Sequence, residues 1–197
     1  MSERTSKPTC RFRHLGDRLV HQGHVWHVVV ASFEDPEGER FARDIVRSPG
    51  AVAAVPIVYG EDDQHHRDPS VVLVSQYRPA FDRAILEIPA GMRDVEGEPA
   101  METARRELVE EVGLQAGRLE PLTVILPNAG MTDSETSIFL ATECQPIERD
   151  LHGPEERDSE VHTMPLRDAL TLVVNGRITD AKSVAGILLA ERRLAQG

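Results

Sequence analysis

The chain has 197 residues and a formal net charge of −11, from 33 acidic residues against 22 lysines and arginines. That length holds one elaborated domain or two small ones and suffices for a core, while 40% hydrophobic residues exclude general disorder. The acidic surplus argues against a nucleic-acid binder, whose footprint is basic, and no apolar run approaches the length of a membrane span.

In chain order, the first fifteen or so residues are polar and expected to be loose. Their opening, MSERTSKPTC, lacks the apolar stretch of a signal peptide. Cys10 and Cys144 are too few for a disulfide framework and fit a reducing cytoplasm. The β-branched run His24–Ala31 predicts a strand, Asp35–Arg40 a turn, and Phe41–Val46 a returning strand. Ser48-Pro49-Gly50 is strong punctuation, so residues 1–50 read as an N-terminal β segment and residues 51–197 as the main domain.

Within the main domain, Ala51–Tyr59 and Val71–Arg78 predict two buried hairpin strands, and Ala84–Pro89 a short one. The clearest helix spans Pro99–Val112, with proline in its first turn and Gly113 just past its end. Strands are expected at Leu122–Leu126, Ser137–Thr142 and Val161–Leu166. Helices follow at Arg167–Val174 and Ala181–Leu194, the latter behind the cap candidates Thr179 and Asp180. This order points to an α/β domain with a mixed sheet.

The Pro99–Val112 helix carries the chemistry. Met101, Ala104, Leu108 and Val112 fall on one stripe that can pack on a sheet. Glu107, Glu110 and Glu111 lie on a neighbouring stripe at i, i+3 and i+4, where like charges repel. A hard divalent cation with oxygen ligands, Mg²⁺ above all, offsets that repulsion; a solvated acidic face is the bland alternative. Arg106 stands one turn from both Glu102 and Glu110 and can pair with either. His21, His24 and His27 are not expected to form a metal site, because positions three apart on a strand face opposite ways.

Gly91, Glu98, Arg106, Glu107, Leu108, Glu110, Glu111, Gly113 and Leu114 together resemble the Nudix box of nucleoside-diphosphate-X hydrolases. Six residues separate Gly91 from Glu98, one more than in the family pattern. The segments QYRPAFDRAILEIPAGM, PNAGMTDSETSIFLAT and GRITDAKSVAGILLA resemble those of the ADP-ribose pyrophosphatase subfamily, except that Ala129 precedes Gly130 where that subfamily carries a proline.

The resemblance implies a Nudix fold, an α/β/α sandwich around a mixed sheet. It also implies Mg²⁺-dependent hydrolysis of ADP-ribose to AMP and ribose 5-phosphate, with Mn²⁺ as a substitute ion. By the same resemblance Glu107 and Glu111 are the principal metal ligands, Glu110 is a further one and the Ala90 carbonyl completes the shell. Arg106 orients the glutamates, and Glu98 supports the helix. A loop supplies the general base, for which Glu155 and Glu156 are the candidates. Arg78 and Arg43 are candidate phosphate contacts, Glu87 a contact to ribose or a partner subunit, and Trp26 a stacking surface for adenine. A homodimer built through the N-terminal segment, located in the cytoplasm, is implied as well. Two alternatives stay open: the same chemistry on another nucleoside diphosphate derivative, and a non-catalytic sensor that binds ADP-ribose.

Overall fold

The computed structural model describes residues 11–60, 68–150 and 157–196. These residues divide into two units, one holding the chain up to Pro49 together with Asn128–Asp133, the other Gly50–Pro127 and the chain from Ser134 onward.

The first unit is an antiparallel meander of β1 (Arg13–Gln22), β2 (His27–Glu34) and β3 (Arg40–Arg47), in that spatial order. β1 begins at Arg13, inside the last few residues of the stretch expected to be loose, while residues 1–10 of that stretch lie outside the described residues. All ten of its residues are exposed, so no apolar alternation marks it in the sequence. The second strand begins at His27 rather than His24, because Gly23–Trp26 is the connecting turn, closed by the Gly23 amide donating to the Trp26 carbonyl at 2.8 Å. In the next turn the Asp35 carboxylate accepts from the amides of Glu37 and Glu39, the local bonding that makes aspartate a turn former. The segment Asn128–Asp133 is stitched to β3: the Val46 amide donates to the Met131 carbonyl at 2.9 Å, and Asp133 accepts from Arg47 and from the Ser48 amide.

The second unit is built on a seven-stranded mixed sheet. Its strands are β4 (Ala51–Val58), β5 (Ser70–Arg78), β6 (Arg83–Glu87), β7 (Ala90–Met92), β8 (Leu114–Ile125), β9 (Thr136–Pro146) and β10 (Glu160–Pro165). The main order is β10-β5-β4-β9-β8, with β6 on β5 and β7 on β4. β4 and β9 run parallel while the other pairs are antiparallel. β8 starts at Leu114, eight residues earlier than expected. Gly117, Arg118, Glu120 and Pro121 disguise its first half, and its register shifts between Pro121 and Thr123.

Side chains alternate across β4. Val52 and Ala54 face α1 (Ala100–Val112), where Ala104, Leu108 and Val112 are buried. Ala53, Val55 and Ile57 face α2 (Leu166–Val174) and α3 (Ala181–Leu194), against Leu166, Ala169, Ile187 and Ala190. This is the α/β sandwich that the sequence implies, with a helix layer on each face. Gly186 lets α3 press onto the sheet, since a Cβ there would meet Ile88, Val55 and Ile138. No helix among the described residues is long and apolar enough to cross a membrane.

Candidate active site

Between β6 and β7 runs a strip, Glu87–Gly91, that lies under both helix layers and takes a contact from each. On one side the Ser183 hydroxyl of α3 accepts from the Ile88 amide at 2.9 Å. On the other, the Ala90 amide donates to the Glu111 carboxylate of α1 at 2.8 Å. Gly91 lies so close to the Glu107 carboxylate that any Cβ there would overlap it. A glycine is therefore needed at this position for Glu107 to occupy its place.

The helix bearing the glutamates is set by its ends. Pro99 caps it in an extended conformation, one residue outside the helix rather than within its first turn, and Gly113 closes it at φ 64°. The expected apolar stripe packs on the sheet, and this turns the acidic stripe inward. Glu107 and Glu111 are 8% and 4% exposed, too buried for a solvated face.

Arg106 holds the group together. Its Nη1 donates to Glu107 and to Glu110, both at 2.9 Å, and its Nη2 to Glu98 at 3.4 Å. Glu102, the other expected partner, instead lies 3.8 Å from Arg105. Burial alone would weaken the charge on Arg106, but the carboxylates of Glu107, Glu98 and Glu110 raise its affinity for the proton above the ordinary value. Burial, with the like charge of Glu107, pushes the Glu111 carboxyl up to about 8, despite the Ala90 amide and the cations Arg78 and Lys182.

These residues fit a divalent cation by the chemistry of the donor set. Glu107, Glu110 and Glu111 share one stripe of the helix with the Arg106 guanidinium on the first two, and burial disfavours the charged form of Glu111, which a further positive charge would restore. Among the described residues no three His, Cys, Asp or Glu side chains already stand as a metal cage. Arg106 and the Ala90 amide engage the carboxylates instead.

Arg78 ends β5 at the same strip. Its Nε and Nη2 donate to the two oxygens of Glu87 at 2.8 and 2.7 Å. Glu87 is 2% exposed and also accepts from Lys182. Arg78, Glu87, Ala90, Arg106, Glu107, Glu110 and Glu111 thus all belong to the second unit, on α1 and the β5–β7 segment. Trp26 and Arg43 belong to the first. Trp26 is exposed in the β1–β2 turn, not within a strand. The Arg43 guanidinium stacks 4.8 Å from the Phe41 ring and borders a cavity of about 510 Å³ with Phe33, Ile45, Ala129, Met131 and Thr132. Glu155 and Glu156 lie outside the described residues.

The sequence reading did not single out Lys182 or Ser183. A compositional signal was there: of the 22 basic side chains only Lys7 and Lys182 are lysines.

Comparison with known proteins gives the family. The NUDIX domain family model matches residues 48–186. The chain is 33% identical over 177 residues to the ADP-ribose pyrophosphatase of Mycobacterium tuberculosis, covering 90% of this chain and 82% of that protein. It is 34% identical over 173 residues to the ADP-ribose pyrophosphatase of Bacillus subtilis, covering 88% and 89%. A crystal structure of an ADP compounds hydrolase superposes with a TM-score of 0.78 at 25% identity, over 98% of this chain and 99% of that one. The chain belongs to the Nudix family and is a pyrophosphohydrolase of the ADP-ribose pyrophosphatase-like branch.

Proposed function

We propose that the protein splits the diphosphate of ADP-ribose into AMP and ribose 5-phosphate, using Mg²⁺ or, in its place, Mn²⁺. The observation that carries this reading is the buried Glu107–Glu111 pair beside Glu110, opposite a strip where Arg78 stands with guanidinium donors to spare. Glu107, Glu110 and Glu111, with the Ala90 carbonyl, would hold the cation. When bound, such an ion clamps phosphate oxygens and lowers the pKa of a bound water.

The remaining roles fall to the chain's own side chains. Arg106 holds Glu107 and Glu110 at fixed separation, so that their repulsion does not open the site. Arg78 binds the diphosphate, since a planar fork matches phosphate oxygens. Glu155 or Glu156 takes the proton of the attacking water. In the N-terminal unit, Arg43, on the cavity beside Phe41, is a candidate phosphate contact and Trp26 a stacking candidate for adenine. That cavity includes Ala129, where the subfamily carries a proline. A related nucleoside diphosphate derivative is therefore the second reading of the substrate.

We further infer a homodimer formed through the N-terminal unit. β1 is an edge strand exposing Leu15, Leu19 and Val20, and an unpaired apolar edge invites a second chain. A cytoplasmic location is supported by the free thiol of Cys144. The test of substrate is a panel of ADP-ribose, nucleotide sugars, dinucleoside polyphosphates and oxidised nucleoside triphosphates. The expected result is AMP release, greatest from ADP-ribose. Turnover of another member with none of ADP-ribose would replace the substrate.

A further inference from the structure

We propose that Lys182 and Glu87 form a positioning pair that presets the Arg78 guanidinium toward the substrate's diphosphate. The proposal rests on the reading of Arg78 as the diphosphate contact.

Glu87 is too buried to serve as a solvent-facing contact, and both its oxygens are engaged. One accepts from Arg78 Nε; the other accepts from Arg78 Nη2 and from Lys182 Nζ. The bidentate grip fixes the plane of the guanidinium. Nη1 is left pointing elsewhere on a side chain that is 37% exposed. A carboxylate that grips an arginine also cancels its charge, and a cancelled arginine attracts phosphate poorly. Lys182 relieves this by sharing Glu87. It is held in turn by Asp180 at 2.9 Å and is itself 13% exposed. Arg78, Glu87, Asp180 and Lys182 together are neutral.

Two further observations point to placement rather than to general stability. The chain uses arginine for twenty of its 22 basic residues yet keeps lysine here. Between the carboxylates of Glu87 and Asp180, a compact ammonium fits where a planar fork would not. The same turn is also tied to the strip. Ser183 Oγ donates to Asp180 Oδ2 at 2.6 Å and accepts from the Ile88 amide, so the α3 terminus, Glu87 and Arg78 are held as one body.

The test is a double-mutant cycle of Lys182→Gln and Arg78→Ala, with KM and kcat for ADP-ribose and the melting temperature measured for all four proteins. The pair predicts that Lys182→Gln raises KM about tenfold with little change in kcat, and that in the Arg78→Ala background it adds less than twofold. An unchanged KM, or equal losses in both backgrounds, overturns the proposal, because a merely structural lysine acts independently of Arg78. Should Lys182→Gln fail to fold, Glu87→Asp keeps the charge but withdraws the carboxylate, and the same coupling to Arg78→Ala is expected. If the wild type does not turn over ADP-ribose, the substrate reading has failed. The cycle is then read by calorimetric titration with inorganic pyrophosphate, where coupling still supports the pair and additivity overturns it.

Discussion

At the scale of the residue, the candidate site consists of acids held where acids are costly. Burial and Glu107 raise the Glu111 carboxyl from 4.5 to about 8. The metal-free folded protein therefore holds a proton that the unfolded chain releases near its ordinary value. The stability this proton supplies is complete below that ordinary value and is lost as pH rises through about 8. Unfolding in chelator between pH 5 and 8.5 should show wild-type stability falling with pH, and Glu111→Gln should flatten that slope. Equal slopes would contradict the assignment. The same variant should retain the fold and lose kcat by about a hundredfold or more, since cation affinity is sensitive even to the partners of its ligands. Gly91→Ala tests the cradle separately. A Cβ displaces the Glu107 carboxylate, so calorimetry should find Mg²⁺ bound at least about tenfold more weakly; unchanged affinity would place Glu107 outside the shell.

At the scale of the element, the N-terminus of α3 is the fastening of the site. Burial alone would raise the Asp180 carboxyl, but Lys182 and the Ser183 hydroxyl and amide hold it below its ordinary value. Its contribution is therefore present above the unfolded value of 3.8 and is lost as pH falls through the lower folded one. Asp180→Ala should cost about 1 kcal/mol, a fall of roughly 3 °C in Tm, and the difference should shrink below about pH 3.8. A difference that persists in acid would deny Asp180 its role as cap. Elements with strong periodicity or punctuation were legible: α3 was read at its observed bounds, and the apolar stripe of α1 packs as its spacing requires. β1 and the first half of β8 were not, because an edge strand exposed on both faces leaves no alternation to read, and glycine, proline and charges mask a bulged strand. The candidate site was legible in part. Glu107, Glu110 and Glu111 announce themselves by spacing on one helix. The grip of Lys182 on Glu87 joins residues 95 positions apart, and only the fold brings them together.

At the scale of the molecule, the charge that first excluded nucleic acid is unevenly spread. Residues 94–111 carry a net −5 and residues 155–160 a net −3, together −8 of the −11. The acidity thus gathers in the helix and loop assigned to cation and base, and the rest of the chain is nearly neutral. The exposed β1 edge predicts a dimer; light scattering should return twice the 21.8 kDa of the chain, and a value of 21.8 kDa alone would remove the N-terminal interface from the account. The reaction itself is measured directly. Purified protein with Mg²⁺ should convert ADP-ribose into AMP and ribose 5-phosphate, quantified by chromatography and abolished by chelator. Absence of AMP from ADP-ribose, with release of a nucleotide from another diphosphate derivative, would contradict it.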